Sequence, residues 1–208
     1  SREENMKIHK NRLDDFGYIY IEDIYTKKEL QSIKKEIENI TWMMDNVPSI
    51  QEARNQHSAR TENDEFKMTG NGLLIDSVYT KRDYSAILKY NRKIFEGQIK
   101  EAIESSHPAN VAYDLVTQDY TMLNKYTHKK EYMSHKDLAA FSCITFLTLD
   151  DKEMIGGDFV FTDYDKTFKF KDNCSVLFPS WVSHHCTKLE TKDVTRYSMA
   201  QFAVVSYV

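Results

Sequence analysis

The spacing of apolar residues changes near Pro108. Before it, Phe16 to Ile21 is a short apolar-aromatic stretch that reads as a strand. Thr26 followed by Glu29 is a capping-box signal, and Leu30, Ile33, Ile37 and Ile40 then recur at helical spacing. A second helix is predicted to begin near Thr80, to carry Tyr84, Ile87, Leu88, Ile94, Phe95, Ile99 and Ile103 along one stripe, and to end at Pro108. Both stripes read as core contacts. Between the helices, residues 43–72 are polar and lack a sustained period. So long a segment predicts a lid or binding loop, or else a solvated excursion.

Beyond Pro108 the spacing becomes that of strands. Tyr120, Met122, Asn124 and Tyr126 alternate, and Phe141 to Leu149 is almost continuously apolar. GDFVF, TFKFK, SVLF and RYSMAQFAVVSY follow, separated by Gly, Asp and Asn turns. Helices first and then about eight short strands predict a mainly β fold, a jelly-roll or barrel with N-terminal helices packed outside it. There is no internal repeat and no low-complexity tract. The 208 residues fit a single domain, with residues 1–110 as helical and strand support and 111–208 as the β core.

Composition narrows the function classes. Hydrophobic residues make up 41% and charged residues 29%, enough apolar mass for a core and against global disorder. The formal charge of −4 and the lack of a basic-aromatic patch give no reason to expect nucleic acid. No apolar run approaches the roughly 20 residues that span a bilayer. The opening SREENMKIHKNR is too polar for a secretory signal, and with no initiator Met it is read as a trimmed end. Cys143, Cys174 and Cys186 are an odd number with no CxxC pair, which predicts reduced thiols and a cytoplasmic protein.

Of the seven histidines, His135 alone has an acid two residues on, at Asp137. On a strand the two side chains would leave the same face and could hold one ion. In FPSWVSHHCTK, His184 and His185 follow a strand ending at Phe178, and either could supply a third ligand. Two His and one carboxylate leave an open face that suits Fe(II) and dioxygen. Arg196, with Ser198 beside it, lies on the last strand. A guanidinium facing into a barrel needs an anionic partner, and a dicarboxylate ligand would provide one.

Taken together these residues resemble the Fe(II)/2-oxoglutarate-dependent dioxygenases, and within them the prolyl 4-hydroxylase-like branch. The resemblance covers about 120 to 205 and rests on five ordered pieces. They are Tyr126-THKKE-Tyr132-MS-His135-Lys136-Asp137, the apolar strand after it, Gly156-Gly157-Asp158-Phe159-Val160-Phe161, Phe178-Pro179-Ser180 with the distal His, and Arg196-Tyr197-Ser198. The FGYIYIEDIYTKKELQSI opening also resembles that branch. Its spacing after Phe-Pro-Ser selects His184 over His185. The chain departs from the pattern at Asn173, which stands for a turn glycine and can adopt positive φ. It also departs in a somewhat longer LETKDVTR stretch, and in the missing Gly after Tyr126.

The resemblance implies a double-stranded β-helix (cupin-like jelly-roll) with helices outside its major sheet. It implies that His135, Asp137 and His184 hold Fe(II), that Arg196 pairs with the C5 carboxylate of 2-oxoglutarate, and that Tyr126 donates a hydrogen bond to this cosubstrate. Ser198 and Thr148 are further cosubstrate candidates. Dioxygen is the third reactant and ascorbate an accessory one. The products are succinate, CO2 and a hydroxylated aliphatic carbon; the carboxylate at Asp137 disfavours chlorination. The nearest relatives act on peptidyl proline, others on free amino acids or small metabolites. A non-catalytic jelly-roll that binds metal or ligand is the rival from another class. Trp181 is expected at the pocket entrance or in rim packing, and Arg54 and Arg60 against an acidic substrate or solvated in the loop.

Overall fold

The computed structural model describes residues 6–56 and 58–206. Two strands open the chain, β1 (Lys7–Arg12) and β2 (Gly17–Glu22), followed by α1 (Lys27–Asn46), α2 (Pro48–Asn55) and β3 (Asn71–Leu74). Two further helices, α3 (Ala86–Tyr90) and α4 (Gly97–Ser106), precede eight strands. These are β4 (Gln118–Tyr126), β5 (Tyr132–His135), β6 (Phe141–Thr148), β7 (Phe159–Phe161), β8 (Lys166–Phe168), β9 (Cys174–Pro179), β10 (His184–Cys186) and β11 (Arg196–Val204). They form two antiparallel sheets, one of seven strands in the order β1-β2-β9-β6-β11-β4-β3 and one of four in the order β5-β10-β7-β8.

Period-two alternation gives the large sheet two apolar faces. One face, with Leu123, Leu147, Tyr197 and Met199, packs on Ile33, Ile37 and Ile40 of α1 and on Ile99 and Ile103 of α4. The other, with Ile144, Phe146, Val176 and Ala200, packs on Phe159, Phe161 and Phe168 of the small sheet. The helices therefore cover the outside of the large sheet, and the space between the sheets is left for a site.

The capping box is present: Thr26 Oγ1 accepts from Glu29 N at 3.3 Å, and Glu29 Oε2 accepts from Thr26 N at 2.8 Å. The long second helix is not. Its stripe is divided into short helical pieces, and Tyr84 is 65% exposed. The buried Glu36 carboxylate, reaching across from α1, accepts from Ser85 Oγ at 2.6 Å and from Ile87 N at 2.9 Å, which starts α3 at Ala86. The extended residue Glu96 and Gly97, at φ +51°, break the chain before the rest of α4. Residues 43–72 are also more ordered than expected. The first helix continues to Asn46, and Pro48 in the first turn of α2 starts another. An additional strand, β1, lies at a sheet edge. Its side chains are mostly polar and exposed, so it carries no apolar period. The last strand ends at Val204; Tyr207 at the end of its predicted stretch, and residues 1–5 of the polar opening, lie outside the described residues.

Asn173 does adopt the left-handed conformation, at φ +62°. Its Oδ1 accepts from Tyr25 N at 3.0 Å and its Nδ2 donates to Tyr25 O at 2.9 Å, clamping the turn before β9 to the chain entering α1. Replacing Asn173 with Gly removes two buried hydrogen bonds, about 2 kcal/mol. Asn173→Ala adds the left-handed penalty of roughly 1 kcal/mol. Urea unfolding is expected to rank stability as wild type, then Gly, then Ala; equal loss in both variants would contradict the clamp.

Candidate metal and anion site

Cross-strand register brings the three expected ligands together. His135 ends β5, His184 begins β10, and the two are direct partners in the antiparallel ladder. Asp137 lies in the turn after β5, where its N–H donates to Ser180 O at 3.1 Å. Asp137 Oδ1 is 3.5 Å from His135 Nε2, and its Oδ2 is 3.3 Å from His184 Nε2. One ligand atom from each residue lies within 4.8 Å of the others. His185, the neighbouring alternative, turns its Nδ1 to Thr162 Oγ1 at 2.8 Å and stands outside this cluster.

The donor set fits a divalent ion. His135 Nδ1 is 2.8 Å from Met133 O and His184 Nδ1 is 2.9 Å from Val182 O. Each carbonyl accepts from Nδ1, so Nε2, on the Asp137 side, is the nitrogen that would bind a metal once its own proton is displaced. Ligand atoms bound at about 2.1 Å to one ion sit roughly 3.0–3.6 Å apart, and both Asp137–imidazole separations fall in that range. Burial opposes ionisation of Asp137, but the charge of His184 and hydrogen bonds from both imidazoles outweigh it and hold the carboxyl below its ordinary range. Burial, only partly offset by Asp137, keeps His135 neutral to lower pH than free imidazole. A charged acid beside a neutral imidazole is the state that binds metal. Ser142 Oγ donates to Asp137 Oδ2 at 2.7 Å and touches Ser180 Oγ at 2.7 Å, and Tyr132 stacks on His135 at 3.7 Å.

The three residues line a cavity of about 420 Å³ that also holds Arg196. Arg196 is 1% exposed, and its buried Nε and Nη1 have no hydrogen-bond partner among the described residues. Its guanidinium carbon lies 5.1 Å from the Tyr126 ring and 5.3 Å from that of Phe146. A Cβ at Gly157, which has φ +68°, would lie 2.7 Å from Arg196 Cδ, so the second glycine of the pair makes room for this side chain. Such a charge is costly to bury without a counter-ion, and none pairs with it among the described residues.

Tyr126 is the cross-strand partner of Arg196, and burial raises its pKa, which keeps the phenol a neutral donor. Ser198 lines the cavity opposite Asn124, whose buried Oδ1 also lacks a partner among the described residues. Thr148 does not line it. Its hydroxyl donates to Thr195 O at 3.0 Å and accepts from Asp150 N at 3.0 Å, so it closes the end of the β6–β11 ladder instead. Trp181 packs edge-on against Phe16 and lies outside the cavity lining. Arg60 pairs with Asp64 and stacks on Phe66. Arg54 differs from Arg60 in being buried and lining the cavity. Sequence reasoning passed over Ser142, although a hydroxyl in the apolar run Phe141–Leu149 was a usable signal.

No family model matches the chain, and no curated protein does. Solved structures match its fold. A prolyl-4-hydroxylase from Pseudomonas putida superposes with a TM-score of 0.62, covering 94% of this chain and 96% of its own at 14% identity. A prolyl hydroxylase from Trichoplax adhaerens, in complex with a hypoxia inducible factor peptide fragment, gives 0.58 over 93% and 86% at 13% identity. A viral collagen prolyl hydroxylase from Paramecium Bursaria Chlorella virus-1, in a 2OG complex, gives 0.51 over 90% and 96% at 12% identity. The likeness is one of fold.

Replacing Ser142 with Ala removes a partner that orients Asp137. Divalent-metal affinity, titrated calorimetrically with Mn(II), is expected to fall roughly 10–100-fold. An unchanged affinity would mean that the serine pair does not orient the carboxylate.

Proposed function

We propose that this chain is an Fe(II)- and 2-oxoglutarate-dependent dioxygenase of prolyl 4-hydroxylase-like type, built on a double-stranded β-helix, that hydroxylates an aliphatic carbon. The single observation that carries the reading is the buried, unpartnered guanidinium of Arg196 in the same cavity as His135, Asp137 and His184. A metal triad alone fits many chemistries. A triad sharing a cavity with a fixed cation fits a ligand that is anionic at its far end. The fold likeness to prolyl hydroxylases supports the same reading.

In this reading His135, Asp137 and His184 hold the ferrous ion, which with 2-oxoglutarate and dioxygen supplies the oxidising power and yields succinate and CO2. The chain's own residues bind and orient. Arg196 forms a charge-assisted pair with the C5 carboxylate, where planar donors and low water access favour binding. Tyr126 donates its phenolic proton to the same molecule, and the Ser198 hydroxyl offers a second donor. Met122, Ile144 and Phe159 line the remaining wall and limit water around the reacting groups. The substrate is an amino-acid side chain, in the first instance peptidyl proline, with a free amino acid or small metabolite as the alternative. The three cysteines are all buried and unpaired, which supports a reducing, cytoplasmic setting. Among the described residues no helix is long and apolar enough to cross a membrane.

Under argon, Fe(II) with 2-oxoglutarate should produce a weak visible band, and admission of air should yield succinate. His184→Ala is expected to abolish both signals while His185→Ala keeps most of them; the reverse would overturn the ligand assignment. Arg196→Met should weaken 2-oxoglutarate binding roughly 100-fold or more, the loss of about 3 kcal/mol for one broken buried ion pair. No band and no succinate from the wild-type protein would favour a non-catalytic binding module.

A further inference from the structure

Arg54 is a second guanidinium in the cavity. It stands in the last turn of α2, is 3% exposed, and lines the same space as Arg196 and the triad. Its Nη1 donates to Asn55 Oδ1 at 3.1 Å, and its Nη2 meets the Met68 thioether, a weak acceptor. The ionisable groups acting on it are the phenols of Tyr126 and Tyr132, and no carboxylate among the described residues pairs with it. The fold makes room for it as it does for Arg196. A Cβ at Gly72 on β3 would lie 2.8 Å from both Cγ and Nε of Arg54.

Its position links both halves of the site. Met68, which Arg54 touches, packs in one cluster with Tyr126 and Tyr132; Tyr132 stacks on His135, while Tyr126 faces Arg196. A charge bound at Arg54 would therefore share one cavity with the metal ligands and with the other guanidinium. A five-carbon diacid has two carboxylates, and under the reading above one belongs to the metal centre and the other to Arg196. Arg54 is left over, and a buried cation without an anion is costly.

We propose that Arg54 binds a carboxylate of the primary substrate, so that the enzyme selects an acidic acceptor. The carboxylate comes either from the α-carboxyl of an amino acid or from an Asp or Glu beside the reacting residue of a peptide. This rests on the cosubstrate reading and names the charge class of its substrate.

The test uses protein loaded with Mn(II) and saturating 2-oxoglutarate under argon, titrated by thermal shift. The probes are four pools: N-acetyl-L-amino acids with uncharged side chains, their primary amides, capped Ala-Xaa-Asp peptides, and their Ala-Xaa-Asn twins. One acid pool should bind at least 10-fold more tightly than its neutral twin, and which pair does so identifies the source of the carboxylate. In Arg54→Met that ratio should fall to about one. Equal binding within both pairs overturns the assignment, as does an acid preference that survives Arg54→Met. Should that variant fail to fold, Arg54→Gln takes its place with the same expected loss of the ratio. Failure of the wild-type Mn(II) protein to bind 2-oxoglutarate would count against the cosubstrate reading instead.

Discussion

A guanidinium stripped of water and given no acid is among the least favourable arrangements a folded chain can hold. At Arg196 three features accommodate it: aromatic faces on Tyr126 and Phe146, a glycine where any larger residue would collide, and strands on both sides that fix its direction. Each is a device for keeping the charge in place without neutralising it. Under the proposed function the neutralising partner arrives from solution, as an anion held in the cavity that Arg196 shares with His135, Asp137 and His184.

The same logic of register runs through the rest of the site. Antiparallel pairing sets His135 against His184, and Arg196 against Tyr126. A slip by one residue in either ladder would turn every one of these side chains to the opposite face. The helical layer holds that register from outside. Tyr197, next to Arg196 but on the other face, reaches Thr41 of α1 at 3.1 Å, and Met199 packs in the same helical core. Burial of apolar surface on one face thus fixes the chemistry on the other.

What could be read from the sequence follows from which signals are local. Strand alternation is local, so six of the eight C-terminal strands and the placement of Tyr126 were legible; the His135–Asp137 pair was legible as a spacing, although Asp137 sits in the turn beyond β5 and not on the strand as expected. The capping box at Thr26 and the left-handed turn at Asn173 were legible for the same reason. The break in the second helix was not, because Glu36 makes it from a distant part of the chain. Strand β1 was hidden by its edge position, which leaves its side chains polar. Thr148 shares register with Arg196, but its hydroxyl is used by neighbouring backbone, a competition that spacing does not reveal. Arg54 and Arg60 look alike in sequence, and only tertiary packing makes the first buried and the second solvent-facing.

The most direct test is a crystal structure of the protein soaked anaerobically with Fe(II) and 2-oxoglutarate. Density for one metal among His135 Nε2, Asp137 and His184 Nε2, with the diacid extending from it to the Arg196 guanidinium, is the predicted result. A metal bound elsewhere, or a diacid whose distal carboxylate lies away from Arg196, would contradict the account.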